Sequence, residues 1–453
     1  MTECSKQSAQ KATAQNSHQL NFGFLPNSKI TLDFQGGTIT SDAGMLLLRQ
    51  IDQQSGLCAR LAAAFVDRRD QRYVSHDLLD LLRQRVYQIA AGYEDCNDAD
   101  QLRCDPVLKA SAAGRRPEEP DLASQPTLSR LENSLNEYDL ERLLAALVEH
   151  YLAQRGQPEY LLLDIDPTDD ACHGHQQMAL FHGYYDEKIY HDLLLFDGDT
   201  GSLIMPVLRP GSVHGADGVV ETLAWLLPRL RERFPETTII VRGDGGLASP
   251  RLYEFLEAAG CFYVIGLVTN PRLVVHNAKN FKRAQQLREM TGRIAQVLTE
   301  FEYQAASWTR PRRVIGKAEL LDQGPNQRFV VTNIVEGSAA AIYDFYRQRG
   351  EGAENRIKEW KTYVKADRLS CHGFWANWLR MILHTVAYEL LRLLKQELAG
   401  TELARATVET IRLKLIKVGA RVVASVRRLW IHCAGGYPYQ HLWRLLQARW
   451  QAT

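Results

Sequence analysis

Apolar residues recur along the chain with two different periods, and the change between them marks its main division. Up to about residue 156 the spacing is helical. In residues 76–91, Leu78, Leu81, Leu82, Val86 and Ile89 fall close to one face, with Ser75 before and Gly92 after as cap residues. A second amphipathic run covers 140–152 and stops near Gly156, and Gly114-Arg-Arg-Pro-Glu-Glu-Pro between the two reads as a loop. From residue 157 the apolar runs shorten. Residues 160–166 predict a strand stopped by Pro167, and 179–185 and 190–196 predict two more. The last of these turns through Asp197-Gly-Asp-Thr-Gly201 into a fourth, 202–208, as a hairpin. A helix over 218–234, a strand over 237–241, a helix opening at Ser249-Pro250 and ending at Gly260, and a strand over 261–268 complete the series.

Antiparallel strands followed by alternating helices and strands outline an α/β mixed sheet with helices on its faces. The stretch 270–343 breaks the rhythm: it is basic, and its second half predicts strands over 303–308, 313–320 and 328–334. Helices return over 353–364 and 375–398. The expected organisation is a disordered polar N-terminus (1–30) and a helical N-terminal DNA-binding domain (31–156). A core in two parts (157–269 and 344–400) follows, split by a β-rich insertion (270–343) and closed by a basic C-terminal region (401–453) that is expected to be helical.

The formal net charge of +1 excludes nothing, but its distribution is uneven. From Thr401 onwards nine Lys or Arg stand against Glu402 and Glu409, a balance that suits a polyanion or a solvated helix face equally. Eight scattered cysteines with no Cys-x-x-Cys pair predict reduced thiols. With no signal-like leader and no apolar run near bilayer length, a cytoplasmic protein is expected.

Side chains alternate along a strand, so Asp164 and Asp166 share one face of the first core strand, with Asp166 at its end. Asp244 ends a later strand among Gly243, Gly245 and Gly246, where small residues permit close backbone approach. Carboxylates from the ends of two strands can converge on one cation. Glu354 and Lys361 are seven apart, about two turns along one helical face. Carboxylates without His or Cys suit Mg²⁺ or Mn²⁺, and two such ions can clamp an in-line displacement at phosphorus. Single acidic residues at strand ends are more often caps or solvated groups, so the spacing leaves both readings open.

In this order, with Asp on the first strand, Asp after the fourth and Glu on a late helix, the chain resembles the ribonuclease-H-like core of DDE transposases. Tyr346, Arg349, Glu354 and Lys361 resemble their Tyr-x-x-Arg…Glu…Lys signature. Further blocks resemble bacterial insertion-sequence transposases of the thirteen-eighty family. They are Phe34-Gln-Gly-Gly, Gly92-Tyr-Glu-Asp-Cys-Asn-Asp, Leu163-Asp-Ile-Asp-Pro-Thr-Asp-Asp, His173-Gly-His-Gln, His182-Gly-Tyr-Tyr, Arg242-Gly-Asp-Gly-Gly and Arg368-Leu-Ser-Cys. The resemblance implies cleavage at the ends of an insertion sequence, with water as nucleophile, and joining of the freed 3′-hydroxyls to target DNA. It makes Asp166, Asp244 and Glu354 the catalytic metal ligands for Mg²⁺ or Mn²⁺ as two ions. It also places Tyr346, Arg349 and Lys361 on the DNA, and it implies double-stranded DNA and at least a dimer on DNA as partners. One departure stands out. Four residues separate Arg349 from Glu354 where the family has three, which leaves Glu351 as an alternative ligand.

Two rivals remain on sequence grounds: an endonuclease or resolvase on the same core that never joins ends, and a DNA-binding relic with a dead metal site. His173, His175 and His182 with Cys172 fit no closed zinc spacing. Trp308 admits a base-stacking role or a buried one, the latter favoured, and Trp360, Trp375, Trp378, Trp430, Trp443 and Trp450 read as core or helix-packing residues.

Overall fold

The computed structural model describes residues 19–452. Most of the segment expected to be disordered, residues 1–18, lies outside them; the rest carries a small hairpin, β1 (Leu20–Phe22) with β2 (Ile30–Leu32). After β3 (Ile39–Thr40) comes the expected helical region: α1 (Met45–Ser55), α2 (Leu57–Ala64), α3 (Leu78–Ala90), α4 (Pro106–Ala113), α5 (Gln125–Glu132) and α6 (Glu137–Gln154). The α3 stripe is buried at Leu81, Leu82, Val86 and Ile89. Asn136 and Asp139 close α6 as a reciprocal capping box.

The core strands are β4 (Tyr160–Ala171), β5 (Leu180–His182), β6 (Glu187–Asp197), β7 (Leu203–Val207), β8 (Thr238–Gly243) and β9 (Phe262–Leu267). Between them lie α7 (Val219–Arg233) and α8 (Pro250–Ala258). Next come α9 (Pro271–Thr291), β10 (Val297–Tyr303), β11 (Arg312–Leu321), β12 (Gly324–Thr332), α10 (Ala339–Lys358) and α11 (Phe374–Glu397). The C-terminal region, expected to be helical, instead carries the hairpin β13 (Ala420–Ser425) and β14 (Arg428–Cys433) before α12 (Gln440–Ala452).

One nine-stranded sheet runs in the order β10-β11-β12-β9-β8-β4-β6-β5, with β7 also on β6. β4, β8 and β9 are mutually parallel and the remaining pairs are antiparallel, so the sheet is mixed. The strands of the stretch 270–343 therefore continue the core sheet through β12 and β9 instead of standing apart. Alternation sorts its two faces. Val264, Ile315 and Val330 bury against Ile342 and Tyr343 of α10. On the other face Tyr263 stacks on Tyr253 of α8, and Asn277 of α9 donates to the Lys317 carbonyl of β11.

Several local expectations fail, among them the strand over 303–308, where β10 instead ends at Tyr303. β4 does not stop at Pro167 but runs to Ala171, so Asp166 lies within the strand. Proline is tolerated because the ladder to β8 ends at Ile165↔Gly243, and beyond it β4 has only β6 as a partner. The late helix does not start near Gly352; α10 begins at Ala339 with Ser338 as its cap. Packing of Ile342, Tyr343 and Ala353 outweighs the poor helix propensity of Gly350 and Gly352. Trp430, read as a packing residue, is 47% exposed.

Candidate active site

The parallel ladder between β4 and β8 runs from Tyr160↔Thr238 to Ile165↔Gly243 and stops there. The next residues of the two chains are Asp166 and Asp244, so register alone sets two carboxylates beside each other at the carboxyl end of the ladder. Asp244 turns out of the sheet as the cap of a short turn, Gly245–Leu247, and its Oδ1 accepts from the Gly246 amide at 2.9 Å.

Asp166 is 5% exposed. Its Oδ1 accepts from Nη1 of Arg349, while its Oδ2 is buried without a hydrogen-bond partner. Burial pushes its pKa up to about 7; Asp244, Asp164 and Glu354 add to the rise, and only the Arg349 guanidinium opposes it. A buried carboxyl with one unpartnered oxygen, among further acidic side chains, is suited to receive a cation.

α10 supplies the other side of the site. Burial alone would lower the pKa of Arg349, but Asp166, Tyr346, Asp244 and Glu354 outweigh it and raise it. Arg349 is therefore the shared counter-charge of all three expected carboxylates. Its guanidinium lies 5.9 Å from the ring centre of Tyr346. The Tyr346 hydroxyl in turn occupies the space over β9, 2.6 Å from where a side chain on Gly266 would begin. Glu354 is exposed, and its Oε1 is 3.7 Å from the corresponding point on Gly350, one turn earlier. The side chain of Glu351, the alternative ligand, lies outside the described part of the molecule.

Five of the six residues singled out in the sequence thus share one electrostatic neighbourhood. Lys361 does not. α10 passes at Glu359 into a π-helical turn, Glu359–Tyr363, which widens the spiral and moves later side chains off the face carrying Glu354. Lys361 Nζ sits 3.2 Å from Asp170 Oδ1, 3.3 Å from Thr168 Oγ1, and donates to the Asp169 carbonyl. Asp170 and Asp192 are both buried on this face of the sheet. Burial raises Asp170 to about 6, against the lowering effect of Asp192 and Lys361, and burial followed by the charge of Asp170 raises Asp192 well above the usual carboxylate range. Among the described residues no donor besides Lys361 stands beside either carboxyl, and a proton on one of them would let the two hydrogen-bond. Burial would lower Lys361, but Asp170, Asp169 and Asp192 raise it.

Two arginines that the sequence reading passed over brace the site. Arg242 grips Asp164 with Nε and Nη2 at 2.7 and 2.9 Å and donates through Nη1 to the Phe345 carbonyl at 2.6 Å. Arg356 reaches Asp164 at 3.3 Å and the Gly198 carbonyl at 2.5 Å. Two turns apart, Arg349 and Arg356 thus staple α10 to Asp166 and Asp164, two residues apart on β4. A signal existed: Arg242 lies two residues before Asp244, on a strand parallel to one with two inward carboxylates.

Among the described residues, no three His, Cys, Asp or Glu side chains are gathered closely enough to hold a metal ion. The donors nevertheless suit a hard divalent cation. They are carboxylate oxygens, one of them buried and unpartnered, in a place where negative charge exceeds positive. The histidines near Cys172 go elsewhere: His182 packs on Tyr185 and His191 at ring distances of 5.1 and 5.2 Å. Trp308 is buried against Tyr253 and Tyr303 beneath Arg312. No described helix is long and apolar enough to cross a membrane, and the described cysteines are free thiols.

Comparison with solved structures finds similarity to a piggyBac transposase in a cryo-EM synaptic complex with hairpin DNA. It has 11% sequence identity and a TM-score of 0.45, and spans 88% of this chain and 82% of that one. No curated protein matches the sequence. A family profile described as transposase DDE domain group 1 matches residues 22–453, nearly the whole chain. The chain therefore belongs to the DDE-domain transposases of group 1.

Proposed function

We propose that this transposase cuts the ends of an insertion sequence of the bacterial thirteen-eighty type. It then joins the freed 3′-hydroxyls to target DNA, using Asp166, Asp244 and Glu354 on a ribonuclease-H-like core. The observation that carries this reading is the register that sets Asp166 beside Asp244, with one oxygen of Asp166 buried and unpartnered. Asp166 and Asp244 would hold Mg²⁺ or Mn²⁺ from the sheet, and Glu354 from α10. Bound there, two such ions supply Lewis acidity to the attacking and leaving oxygens of a phosphodiester.

The chain's own residues do the rest. Arg349 holds Asp166 and screens the carboxylates, and its planar guanidinium is equally suited to a DNA phosphate. Tyr346, seated over Gly266, fixes the side of α10 that faces the strand ends. Arg242 and Arg356 keep Asp164 paired, which leaves Asp166 as the acceptor on that strand. Lys361 is assigned to Asp170 and Asp192 and away from DNA. Pairing two element ends requires at least two copies of the chain on DNA, in a bacterial cytoplasm.

The test is direct. The protein is incubated with Mg²⁺ or Mn²⁺, labelled DNA carrying the element ends, and a plasmid target. Joined product is the expected result. Nicks without joining would replace the reading with an endonuclease, and retarded but uncut DNA with a binding relic.

A further inference from the structure

The C-terminal hairpin β13–β14 has two unlike faces. In its register, Ala420↔Cys433, Val422↔Ile431 and Ala424↔Leu429 alternate with Arg421↔His432, Val423↔Trp430 and Ser425↔Arg428. The first set turns inward over most of its length: Ala420 and Val422 are buried and Leu429 and Ile431 pack on the core, while Ala424 and Cys433 at the ends are exposed. Every residue of the second set is exposed. On that bare face Trp430 stacks on His432, with rings 6.0 Å apart and nearly parallel, and the Arg428 guanidinium lies 5.6 Å from the Trp430 ring centre. The turn beyond carries Val426, 96% exposed, next to Arg427.

Such a face is costly in water. A tryptophan and a valine left bare, with three arginines about them, are retained where a partner covers them. The charge says which partner. After Glu409 the sequence contains no Asp or Glu, while Arg412, Lys414, Lys417, Arg421, Arg427, Arg428, Arg444 and Arg449 all follow. Arg421, Arg427 and Arg428 form no ion pair among the described residues, whereas Arg412 is committed to Glu409. The ribbon is also held in place. β13 pairs with β3, and Arg116 donates to the Ser425 carbonyl at 2.7 Å, next to the turn. It is thus a fixed, cationic two-stranded ribbon with an aromatic centre, and a two-stranded ribbon is one of the shapes that the major groove of a duplex admits.

We infer that the β13–β14 ribbon binds duplex DNA at a place outside the carboxylate site. Arg421, Arg427 and Arg428 would bind phosphates, and Trp430 would lie against the groove. The inference rests on DNA being what this protein handles, but it does not depend on the carboxylates cutting it.

The experiment measures binding without divalent cation. A fluorescent duplex of arbitrary sequence and the matching single strand are titrated with the full chain at several salt concentrations. Replacing Arg421, Arg427 and Arg428 together by Ala should lower the slope of log K against log salt by about 2–3, at about 0.9 for each phosphate no longer neutralised. The triple Lys variant, which keeps the charge, should keep the wild-type slope. Trp430→Ala should weaken binding with the slope unchanged. An unchanged slope in the Ala variant overturns the inference, as does failure of the Lys variant to retain it. Tighter binding of the single strand than of the duplex overturns it too. Because no cutting is involved, the result is separable from that of the joining assay.

Discussion

Asp166 and Asp170 lie four residues apart on one strand and one face, and both are buried, yet the molecule treats them in opposite ways. Asp170 lies against Asp192 deep in the sheet, Lys361 supplies positive charge 3.2 Å away, and the π-helical turn delivers that lysine. Asp166 differs: one oxygen is given to Arg349, the other has no partner, and burial, then Asp244, Asp164 and Glu354, raise its pKa. The difference teaches that burial of acid is not by itself a sign of chemistry. What separates the two clusters is access: the Asp170–Asp192 pair is buried beside its lysine, whereas Asp166 shares Arg349 with an exposed Glu354.

Substitutions should break this contrast in a definite order of size. Asp244→Ala is expected to reduce cutting of labelled ends by on the order of 10³-fold, with end binding in a mobility shift unchanged. Cutting at the wild-type rate would remove Asp244 from the site. Lys361→Met leaves Asp170 without its counter-charge and should cost about 3 kcal/mol in a denaturant melt. Adding Asp170→Asn to it should return part of that loss, while duplex affinity stays put. If Lys361→Met instead weakened DNA binding at full stability, the lysine would belong to the DNA side after all.

The smallest effect concerns pH. A carboxyl whose folded-state pKa is raised binds its proton more tightly folded than unfolded, so its contribution is greatest at low pH and is lost as pH rises through the folded value. For Asp170, raised from 3.8 to about 6, the window runs between those two values. Asp192→Asn, which puts a permanent amide donor against Asp170, should flatten the pH dependence of the melting temperature across that window. A wild-type slope there would show that the two carboxyls share no proton.

Much of this was legible in the chain. The elements of the core announced themselves through Pro250, Gly260 and the Asp197–Gly201 turn, and the carboxylates through their strand-end positions. The failures are of one kind: residues whose conduct is decided by distant partners. Pro167 looked like a stop because nothing local says that β8 ends two residues earlier in register. α9 escaped notice because its inward face is Leu273, Asn277 and Ala284, a polar residue among them, although Asn270 and Pro271 form a legible helix start. The destination of Lys361 was hidden because spacing assumed 3.6 residues per turn through a segment that takes the π form. The β13–β14 hairpin escaped because Gly419 and the turn at Val426–Arg427 carry none of the usual two-residue hairpin signals.

Gly266 draws these threads to one atom. Its neighbours on β9 are Ile265 and Leu267, and any of the other side chains would begin within 2.6 Å of the Tyr346 hydroxyl and 2.7 Å of the Gly245 amide nitrogen. Even a methyl group there must move either the tyrosine or the turn that follows Asp244. This position is therefore closed to drift: among variants that keep their cutting activity, the codon for residue 266 should read glycine.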